Sequence, residues 1–336
     1  MLKLDDLEKY DPSNMHKVYD RWPQIAKESY EIKFDSIEFK DINHIIFSGM
    51  GGSGALGDIF SAVLSKTNFH VNVVKGYLLP NTIDSQTLVV TTSTSGNTVE
   101  TLTVLDAAQK LGCKIIAFSS GGKMAEYCKA NNIEYRKIPF NHSPRASFTA
   151  FLYSMLKTLN PITHLKNADI KESIYQLEKF SSQISSSNLT EKNPSLNLAE
   201  WIEGIPLIYY PWGLQSAAIR FKSSLQENAK LHAMAEDVVE ASHNGIVSWE
   251  RNSIVKPILI EGEDDYRKTK ERWQIIKEYF ATNNIDYREV FSVKGSILSK
   301  LINLVYHLDY TSIYRAILSG IDPSPVKSID FVKERL

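Results

Sequence analysis

The chain has little cysteine and no long apolar run, and each shortage excludes a class of protein. Two cysteines, Cys113 and Cys128, stand among 336 residues, too few for the disulfide frameworks of small secreted domains. No apolar stretch approaches the roughly 20 residues that cross a bilayer as a helix. Residues 1–22 also lack the apolar core that a signal peptide needs. We therefore expect a soluble protein of a reducing compartment, with a cytoplasmic location and no membrane partner.

Net charge is in short supply as well. Lys and Arg number 38 against 39 Asp and Glu, which leaves a formal net charge of −1. Without a bulk positive field, the chain has no electrostatic reason to bind nucleic acid, and an anionic ligand would have to be held by local donors. His, Cys, Asp and Glu form no cluster with metal-ligand spacing, so we expect no metal and no other cofactor.

What the sequence does contain is an alternation of apolar strands and helical stretches. Apolar residues make up 43% of the chain, enough for a sizeable core. The first half has five short segments typical of strands, at 44–48, 70–74, 87–91, 114–118 and 133–138. Strands that alternate with helices predict a parallel sheet covered on both faces.

The second half repeats this rhythm more weakly after a polar interruption. Residues 163–200 are polar and rich in serine, which is typical of a helix followed by a linker. The elements expected beyond it are three strands and a long helix, at 206–210, 255–260, 287–291 and 297–318. We therefore predict an α/β protein with two doubly wound parallel-sheet subdomains, 1–160 and 201–336, joined by a helix and linker at 161–200.

A glycine-rich turn follows the first predicted strand. Residues 48–54 are Ser-Gly-Met-Gly-Gly-Ser-Gly and lead into a helix, so backbone N–H groups and the positive end of the helix dipole can approach an anion. The three spaced glycines match the dinucleotide-binding pattern, which by itself is a weak signal. The acidic residue expected after the second strand is missing, because Lys75 stands there. A nicotinamide-dependent dehydrogenase is therefore a rival interpretation with little support.

A hydroxyl-rich turn follows the third predicted strand and favours a phosphate ligand. Residues 93–98 are Ser-Thr-Ser-Gly-Asn-Thr and open a helix. A phosphate monoester accepts hydrogen bonds from hydroxyl and N–H groups, each worth about 1.5–3 kcal/mol when the acceptor is charged. A single hydroxyl in such a place would indicate an ordinary helix N-cap, but this density of hydroxyls favours phosphate binding.

Six segments in one order give the chain a resemblance to a known family. They are 49–54, 93–98, 143–146, 226–230, 242–244 and 329–333. The chain resembles the sugar isomerase (SIS) superfamily and, more narrowly, the bifunctional phosphoglucose/phosphomannose isomerases of archaea and some bacteria. The resemblance implies a homodimer of chains with two SIS-type subdomains each. It also implies metal-independent interconversion of glucose 6-phosphate, and often mannose 6-phosphate, with fructose 6-phosphate through a cis-enediol.

The resemblance assigns the substrate phosphate to the two turns. The binding residues it implies are Gly51, Gly52, Ser53, Ser93, Ser95 and Thr98.

Four further residues take the catalytic roles that the resemblance implies. Glu227, in a predicted helix at 214–230, would carry the proton between C1 and C2. His243, in a loop-like stretch, would open the sugar ring and reach the site of the neighbouring subunit. Arg145, in a turn after the fifth strand, would stabilise the enediolate, and Lys333 matches a C-terminal lysine of the family.

One departure from the family pattern lies near the C-terminus. Val326, expected on the same helical face as Lys333, stands where the family commonly has threonine or glutamine, and valine forms no side-chain hydrogen bond. Lys327 or Ser324 would substitute if the register differs. Two other interpretations stay open: a sugar-phosphate-binding regulator of the same fold, and an isomerase of another sugar phosphate such as an amino sugar.

Overall fold

Helices and strands alternate along the described chain, which comprises residues 2–35 and 37–336 of this computed structural model. The helices are α1 (Leu4–Tyr10), α2 (Met15–Asp20), α3 (Trp22–Glu31), α4 (Gly51–Leu64), α5 (Val99–Lys110), α6 (Gly122–Ala130), α7 (Phe148–Thr163), α8 (Asn167–Ile184), α9 (Pro194–Trp201), α10 (Gln215–Asn228), α11 (Val238–Ala241), α12 (Arg267–Thr282), α13 (Ile297–Leu318) and α14 (Lys327–Lys333). The strands are β1 (His44–Ser48), β2 (His70–Val74), β3 (Thr87–Ser93), β4 (Lys114–Ser119), β5 (Glu134–Lys137), β6 (Ile205–Tyr210), β7 (Met234–Asp237), β8 (Val255–Glu261) and β9 (Arg288–Phe291). Short 3-10 helices span Trp212–Leu214 and Gly245–Glu250.

The chain folds into two compact units, and each contains one parallel sheet. The first-sheet unit comprises Arg21–Ile170 together with Lys327–Leu336 and contains β1 to β5. The second-sheet unit comprises Met1–Asp20 together with Lys171–Val326 and contains β6 to β9. The predicted α/β class with two parallel sheets is confirmed. The domain boundaries near 160 and 200 stay a prediction.

The first sheet is built of strands that are buried on both faces. Its order is β2-β1-β3-β4-β5, and its pairings are parallel. Every residue of β1 and β3 is buried, whereas β2 at one edge is partly exposed. Continuous apolar strands of this kind are typical of a sheet with helices on both faces. The five strands predicted in this half are confirmed, with ends that differ by one or two residues.

Alternate strand residues pack against the helix that carries the hydroxyl-rich turn. Ile46, Val89 and Ala117 lie on one face of the sheet and contact Leu105 and Ala108 of α5 within one buried cluster. Burying an apolar side chain of this size contributes about 1.5–3 kcal/mol. The cluster therefore fixes the start of α5 relative to the end of β3.

The second sheet has the same order with one strand fewer. The order is β7-β6-β8-β9, again with parallel pairings. Strands β6, β8 and β9 confirm the three predicted strands, and α13 has its predicted bounds. Strand β7 was not predicted. It is a four-residue edge strand, Met-Ala-Glu-Asp, that stays partly exposed and has no apolar run to signal it.

Each sheet has a point at which its strand order reverses. The chain passes from β1 to β2 on one side and then to β3 on the other. The connections that leave β1 and β3 therefore diverge and open a crevice at the carboxyl ends of the strands. The same holds for β6 and β8 in the second sheet. The fold itself makes room for a ligand at these two places.

Candidate functional site

The two turns predicted to bind phosphate lie together at the reversal point of the first sheet. The glycine turn (residues 48–54) joins β1 to α4, and the hydroxyl turn (residues 93–98) joins β3 to α5. They are in contact, because the Thr94 N–H donates to Ser53 Oγ at 3.3 Å and the two hydroxyl oxygens lie 3.4 Å apart. The fold thus brings two sequence segments that are forty residues apart into one place.

The glycine turn passes close to β3. A Cβ on Gly49 would lie 2.9 Å from the Thr92 carbonyl oxygen, a distance that real Cβ atoms do not adopt. Gly51 is exposed and Gly52 half-buried, with Gly51 at a positive φ of 53°. Their backbone N–H groups stand at the start of α4, where a helix has donors without intrahelical partners. An anion can reach these donors without displacing a side chain.

The hydroxyl turn is held by its own side chains. Ser93 is buried, its Oγ accepts from the Gly96 N–H at 3.1 Å, and it pairs with Thr98 Oγ1 at 2.9 Å. Ser95 is exposed, and its Oγ accepts from the Asn97 N–H at 3.2 Å. Ser95 is therefore the hydroxyl of this turn that is best placed to donate to a ligand, while Ser93 shapes the turn.

Each turn leads into a helix whose first N–H groups receive no hydrogen bond from the side chain of the N-cap residue. Within the described part of the chain, neither Met50 before α4 nor Thr98 before α5 makes a capping hydrogen bond through its side chain. A helix start with open N–H groups attracts an anion through geometry and through the helix dipole. Two such starts at one crevice suit a phosphate group.

Arg145 lies in the turn before α7, next to the glycine turn. Only 6% of Arg145 is exposed, and its Cα would be 3.8 Å from a Cβ placed on Gly52. The turn is rigid, because Ser147 Oγ donates to the carbonyl oxygens of Ser143 at 2.8 Å and Asn141 at 3.1 Å. A positive residue is thereby fixed in the same part of the unit as the two anion-binding turns.

A third turn completes this edge of the sheet and was not predicted. It spans residues 119–122, after β4. A side chain at Gly96, whose φ is 70°, would overlap the Gly121 carbonyl. The third turn therefore packs directly against the backbone of the hydroxyl turn. Asn97 Oδ1 accepts from the Lys123 N–H at 3.0 Å and so caps α6. The two adjacent glycines that follow a strand were the signal available in the sequence.

Glu227 lies in the last turn of α10, in the second-sheet unit. The residue is half-buried. Lys230, which has a left-handed backbone, donates from its ammonium group to the carbonyl oxygens of Glu227 and, at 2.7 Å, of Pro325. Asn228 is fully buried and donates to Ser312 Oγ at 2.8 Å. The backbone around Glu227 is therefore fixed on several sides.

His243 lies in a surface turn of the same unit. Its N–H donates to the Glu240 carbonyl at 2.9 Å, and Asn244 Oδ1 accepts from the following N–H. The residue is exposed. The turn is thus defined while the imidazole stays accessible to a second molecule, and the predicted role of His243 stays a prediction.

The prediction that Val326 and Lys333 share one helical face is wrong. Helix α14 begins at Lys327, so Val326 precedes it and belongs to the other unit. Pro325 keeps Ser324 out of the helical conformation, because proline disfavours it in the preceding residue, and α14 begins only at Lys327. Lys333 is exposed at the end of α14, a helix without buried residues.

The second-sheet unit also contains a cleft of about 490 Å³, lined in part by Leu207, Glu236, Trp249 and Val255. Desolvation, followed by repulsion from Glu240, raises the pKa of Glu236. Val255 is the first residue of β8, so the cleft reaches the amino end of that strand. Ligands of α/β sheets bind at the opposite, carboxyl ends. We assign this cleft no part in the chemistry discussed below.

Residues 2–35 and 37–336 contain neither a metal-binding group of side chains nor a membrane-spanning helix. No three His, Cys, Asp or Glu side chains in these ranges are placed to hold a metal ion together. No helix there is long and apolar enough to cross a bilayer.

The segments that contain the two sheets match two different protein-family models. Residues 38–156, which include β1 to β5, match the SIS domain family. Residues 191–336, which include β6 to β9, match the family of the bacterial phospho-glucose isomerase C-terminal SIS domain.

Two curated relatives are similar over most of their lengths. A bifunctional phosphoglucose/phosphomannose isomerase from Caldicellulosiruptor bescii is 31% identical over 332 residues, which cover 95% of this chain and 97% of the relative. A D-glucosamine-6-phosphate 4-epimerase from Sulfolobus acidocaldarius is 31% identical over 254 residues, which cover 74% of this chain and 78% of the relative.

Among solved structures, the C-terminal domain of a glucosamine-fructose-6-phosphate aminotransferase from Francisella tularensis has the same fold. It superimposes with a TM-score of 0.70 at 16% identity, over 92% of this chain and 97% of that one. This likeness concerns the fold alone.

Proposed function

Because this chain belongs to the bifunctional phosphoglucose/phosphomannose isomerase family, we propose that it interconverts glucose 6-phosphate and mannose 6-phosphate with fructose 6-phosphate. The observation that carries the proposal is the pair of contacting turns at the reversal point of the first sheet. They form a phosphate-binding crevice in a chain that matches a relative of this name along nearly its whole length.

The glycine and hydroxyl turns bind the phosphate of the substrate. Ser95 and the N–H groups of Gly51 and Gly52 donate to its oxygens, while Ser53 and Ser93 hold the turns in shape. An anchored phosphate places C1 and C2 of the sugar, and binding energy from this non-reacting end is used to orient the reacting one.

Glu227 carries the proton between the two carbons. Its carboxylate removes the C2 proton of the open-chain aldose, which leaves a cis-enediolate. O1 takes up a proton and O2 gives one up, and Glu227 then delivers its proton to C1 to give the ketose. The reaction is an isomerisation, so substrate and product have the same atoms and oxidation level, and no cofactor is needed. The proposal is supported by the fixed backbone and partly exposed position of Glu227 at the end of α10.

Three further residues complete the proposed chemistry. His243 transfers protons to open the sugar ring, since imidazole exchanges protons near neutral pH. Arg145 stabilises the negative charge of the enediolate, an interaction that can contribute several kcal/mol in a site without water. Lys333, which matches a C-terminal lysine of the family, is the fourth catalytic residue of the proposal. The chain acts as a cytoplasmic homodimer in which the exposed His243 serves the site of the partner chain.

A coupled assay tests the proposal directly. Purified protein is offered glucose 6-phosphate and mannose 6-phosphate separately, with EDTA present, and fructose 6-phosphate is detected. Both substrates should react, and EDTA should not change the rates. The proposal fails if neither sugar gives fructose 6-phosphate. Activity that EDTA removes and a divalent ion restores would instead indicate a metal-assisted hydride shift.

A second candidate function concerns amino sugars. It is favoured by the relative named D-glucosamine-6-phosphate 4-epimerase, which is also 31% identical. The same assay series therefore includes glucosamine 6-phosphate, with products separated by chromatography. A higher kcat/KM with glucosamine 6-phosphate than with glucose 6-phosphate would favour this second function.

A further inference from the structure

Helices α10 and α13 of the second-sheet unit meet along a buried row of polar side chains. On α10 the row consists of Arg220, Ser224 and Asn228, which are spaced by four residues and so share one helical face. On α13 their partners are Asp309 and Ser312. We call these five residues the polar seam. Each of them is at most 4% exposed.

Asp309 is the centre of the polar seam. Its Oδ2 accepts from Arg220 Nη2 at 2.6 Å and Nε at 3.1 Å, and its Oδ1 accepts from Ser224 Oγ at 2.7 Å. Tyr19 also donates to Oδ2, at 3.0 Å. Three of these four bonds come from α10, and they fix both the rotation of α10 and its position along α13, because a helix that slides or turns breaks them together.

A buried ion pair is a poor way to gain stability. The side chains of Arg220 and Asp309 are 3% and 0% exposed, so both charges lose their hydration on folding. Replacing such a pair with apolar residues of similar volume is often neutral or stabilising. Buried polar partners can instead fix one register between two helices. The polar seam therefore suggests a need for exact placement of α10 rather than for strength of packing.

The group that this placement serves lies at the end of α10. Glu227 follows Arg220 by seven residues, which is two turns along the helix and about 20° around it. Asn228, the last member of the seam on α10, is adjacent to Glu227 in sequence and bonds to Ser312. A change in the register of α10 would therefore displace the carboxylate of Glu227 directly.

We propose that Asp309, with Arg220 and Ser224, is a positioning residue for Glu227: the polar seam sets the place from which the carboxylate of Glu227 moves the substrate proton. The inference rests on the proposed function, in which Glu227 is the base. It assigns to the seam an effect on kcat that is separate from its effect on stability.

The test replaces the ion pair with apolar residues, in a double variant Arg220→Met with Asp309→Leu. The variant leaves the buried hydroxyls of Ser224 and Tyr19 without their acceptor, so its unfolding temperature should fall. At a temperature at which it stays folded, kcat should fall about tenfold or more and KM should change less than about threefold, because the base is displaced while the phosphate anchor stays in place. Ser195→Ala is the matched control. It removes a buried bond of 2.9 Å from α9 to the His307 carbonyl of α13 and leaves α10 alone, so kcat should be unchanged.

A cycle with Glu227→Gln separates positioning from general damage. If the polar seam acts through Glu227, the apolar pair should lower kcat by less than about twofold in a protein that already lacks the base. Equal losses in both backgrounds, or an unchanged kcat in the folded double variant, would overturn the inference. A wild-type kcat for Glu227→Gln alone would instead overturn the assignment of Glu227 as the base and leave the proposed isomerase activity standing.

Ser224→Ala serves if the double variant does not fold. It deletes one bond of 2.7 Å and leaves no buried charge without a partner. Its effect on kcat should be smaller, about threefold, and should again vanish in the Glu227→Gln background. An additive effect of Ser224→Ala would overturn the inference in the same way.

Discussion

The two sheets share one strand order, yet the connections at their reversal points carry opposite chemistry. In the first sheet these connections contain glycines, hydroxyls and open helix starts. In the second sheet, β6 is followed by the 3-10 helix Trp212–Leu214, and β8 is followed by residues 262–266, Gly-Glu-Asp-Asp-Tyr. The same topology thus provides one crevice lined by hydrogen-bond donors suited to a phosphate and one bordered by carboxylates.

Local donors engage the carboxylates of Asp264 and Asp265 in the connection that follows β8. Lys300 bonds to Asp264 at 3.0 Å and lowers the pKa of that carboxyl, so Asp264 stays ionised. Asp265 accepts from the Gly262 N–H at 2.9 Å and from Trp273 Nε1 at 3.2 Å. The strand order decides where a crevice forms, and the residues of the connections decide what it can bind. We therefore expect substrate anchoring in the first-sheet unit and proton transfer by a residue of the second.

The largest test of this division is Glu227→Gln in the second-sheet unit. Glutamine keeps the shape and removes the base, so kcat should fall by about 10²–10⁴-fold with little change in KM. In heavy water, the wild type should incorporate deuterium at C1 of fructose 6-phosphate, because a proton on the carboxylate exchanges before it is returned. Steady-state kinetics and NMR of the product measure the two effects.

Gln226→Ala, at the exposed neighbouring position, is the matched control for Glu227→Gln. Its kcat should stay close to that of the wild type. A Glu227→Gln protein that keeps its rate, together with a wild type that takes up no label from solvent, would mean that Glu227 is an ordinary surface residue of α10.

The next largest effect should be the converse one in the first-sheet unit. The double variant Ser95→Ala with Thr98→Ala removes two hydroxyls from the hydroxyl turn, so KM for both sugars should rise about 10–100-fold while the protein stays folded. Thr103→Ala is the control. Thr103 is an exposed hydroxyl further along α5 that bonds to the Val99 carbonyl, and its loss should leave KM unchanged. An unchanged KM in the folded double variant would place the phosphate elsewhere.

The contrast between the units also separates what the sequence reveals from what it hides. Strands β1, β3 and β4 of the first sheet and helix α13 could be predicted from their apolar runs. Strand β5 carries no such run, and its place is indicated by the flanking Ile133 and Ile138. The two anion-binding turns could be predicted because all their donors lie within short segments. Strand β7 could not, since its four residues carry no apolar run.

Features that depend on distant partners could not be predicted from the sequence. Arg220 and Asp309 are 89 residues apart, and nothing in either segment identifies the other. The capping role of Asn97 depends on the neighbouring strand bringing α6 alongside. The error at Val326 has a local cause, since the last helix, expected to include Val326, begins one residue later at Lys327. Sequence patterns report short-range geometry, whereas buried polar pairs report the tertiary fold.

A smaller effect is expected in acid, where the second-sheet unit should lose stability through the buried His307. His307 of α13 is buried against Phe180, and its Nε2 has no hydrogen-bond partner within the described residues. Burial lowers the pKa of His307 to about 4. Below about pH 6.5 the unfolded chain binds a proton that the folded chain does not, so stability falls as pH drops towards 4. Between pH 7 and pH 5 the loss should be about 2 kcal/mol.

Urea unfolding at the two pH values measures this loss, and hydrogen exchange of peptides from α13 and β3 locates it. His307→Gln cannot titrate and should remove the corresponding part of the pH dependence. His232→Gln, at an exposed histidine of the same unit, should leave it intact. Equal acid sensitivity of the wild type and His307→Gln would show that other groups control the effect.

The smallest expected signal tests whether the second-sheet unit also serves a neighbouring chain. Glu227→Gln and His243→Ala should each be nearly inactive as pure proteins. If His243 acts in the partner's site, a hybrid dimer has one site in which both groups are intact. Random exchange makes half of the dimers hybrid, so the mixture should regain up to about a quarter of the wild-type rate.

Three controls make the outcome of this mixing experiment decisive. Mass spectrometry of differently labelled subunits must show that exchange has occurred. Mixing two Glu227→Gln proteins that carry different labels should restore no activity. Mixing must also be compared before and after exchange, since only exchanged dimers should gain activity. If exchange is complete and the rate stays at the level of the pure variants, His243 acts within its own chain or outside catalysis. A His243→Ala protein that keeps the wild-type rate would place His243 outside catalysis, and the second-sheet unit would then supply the base alone.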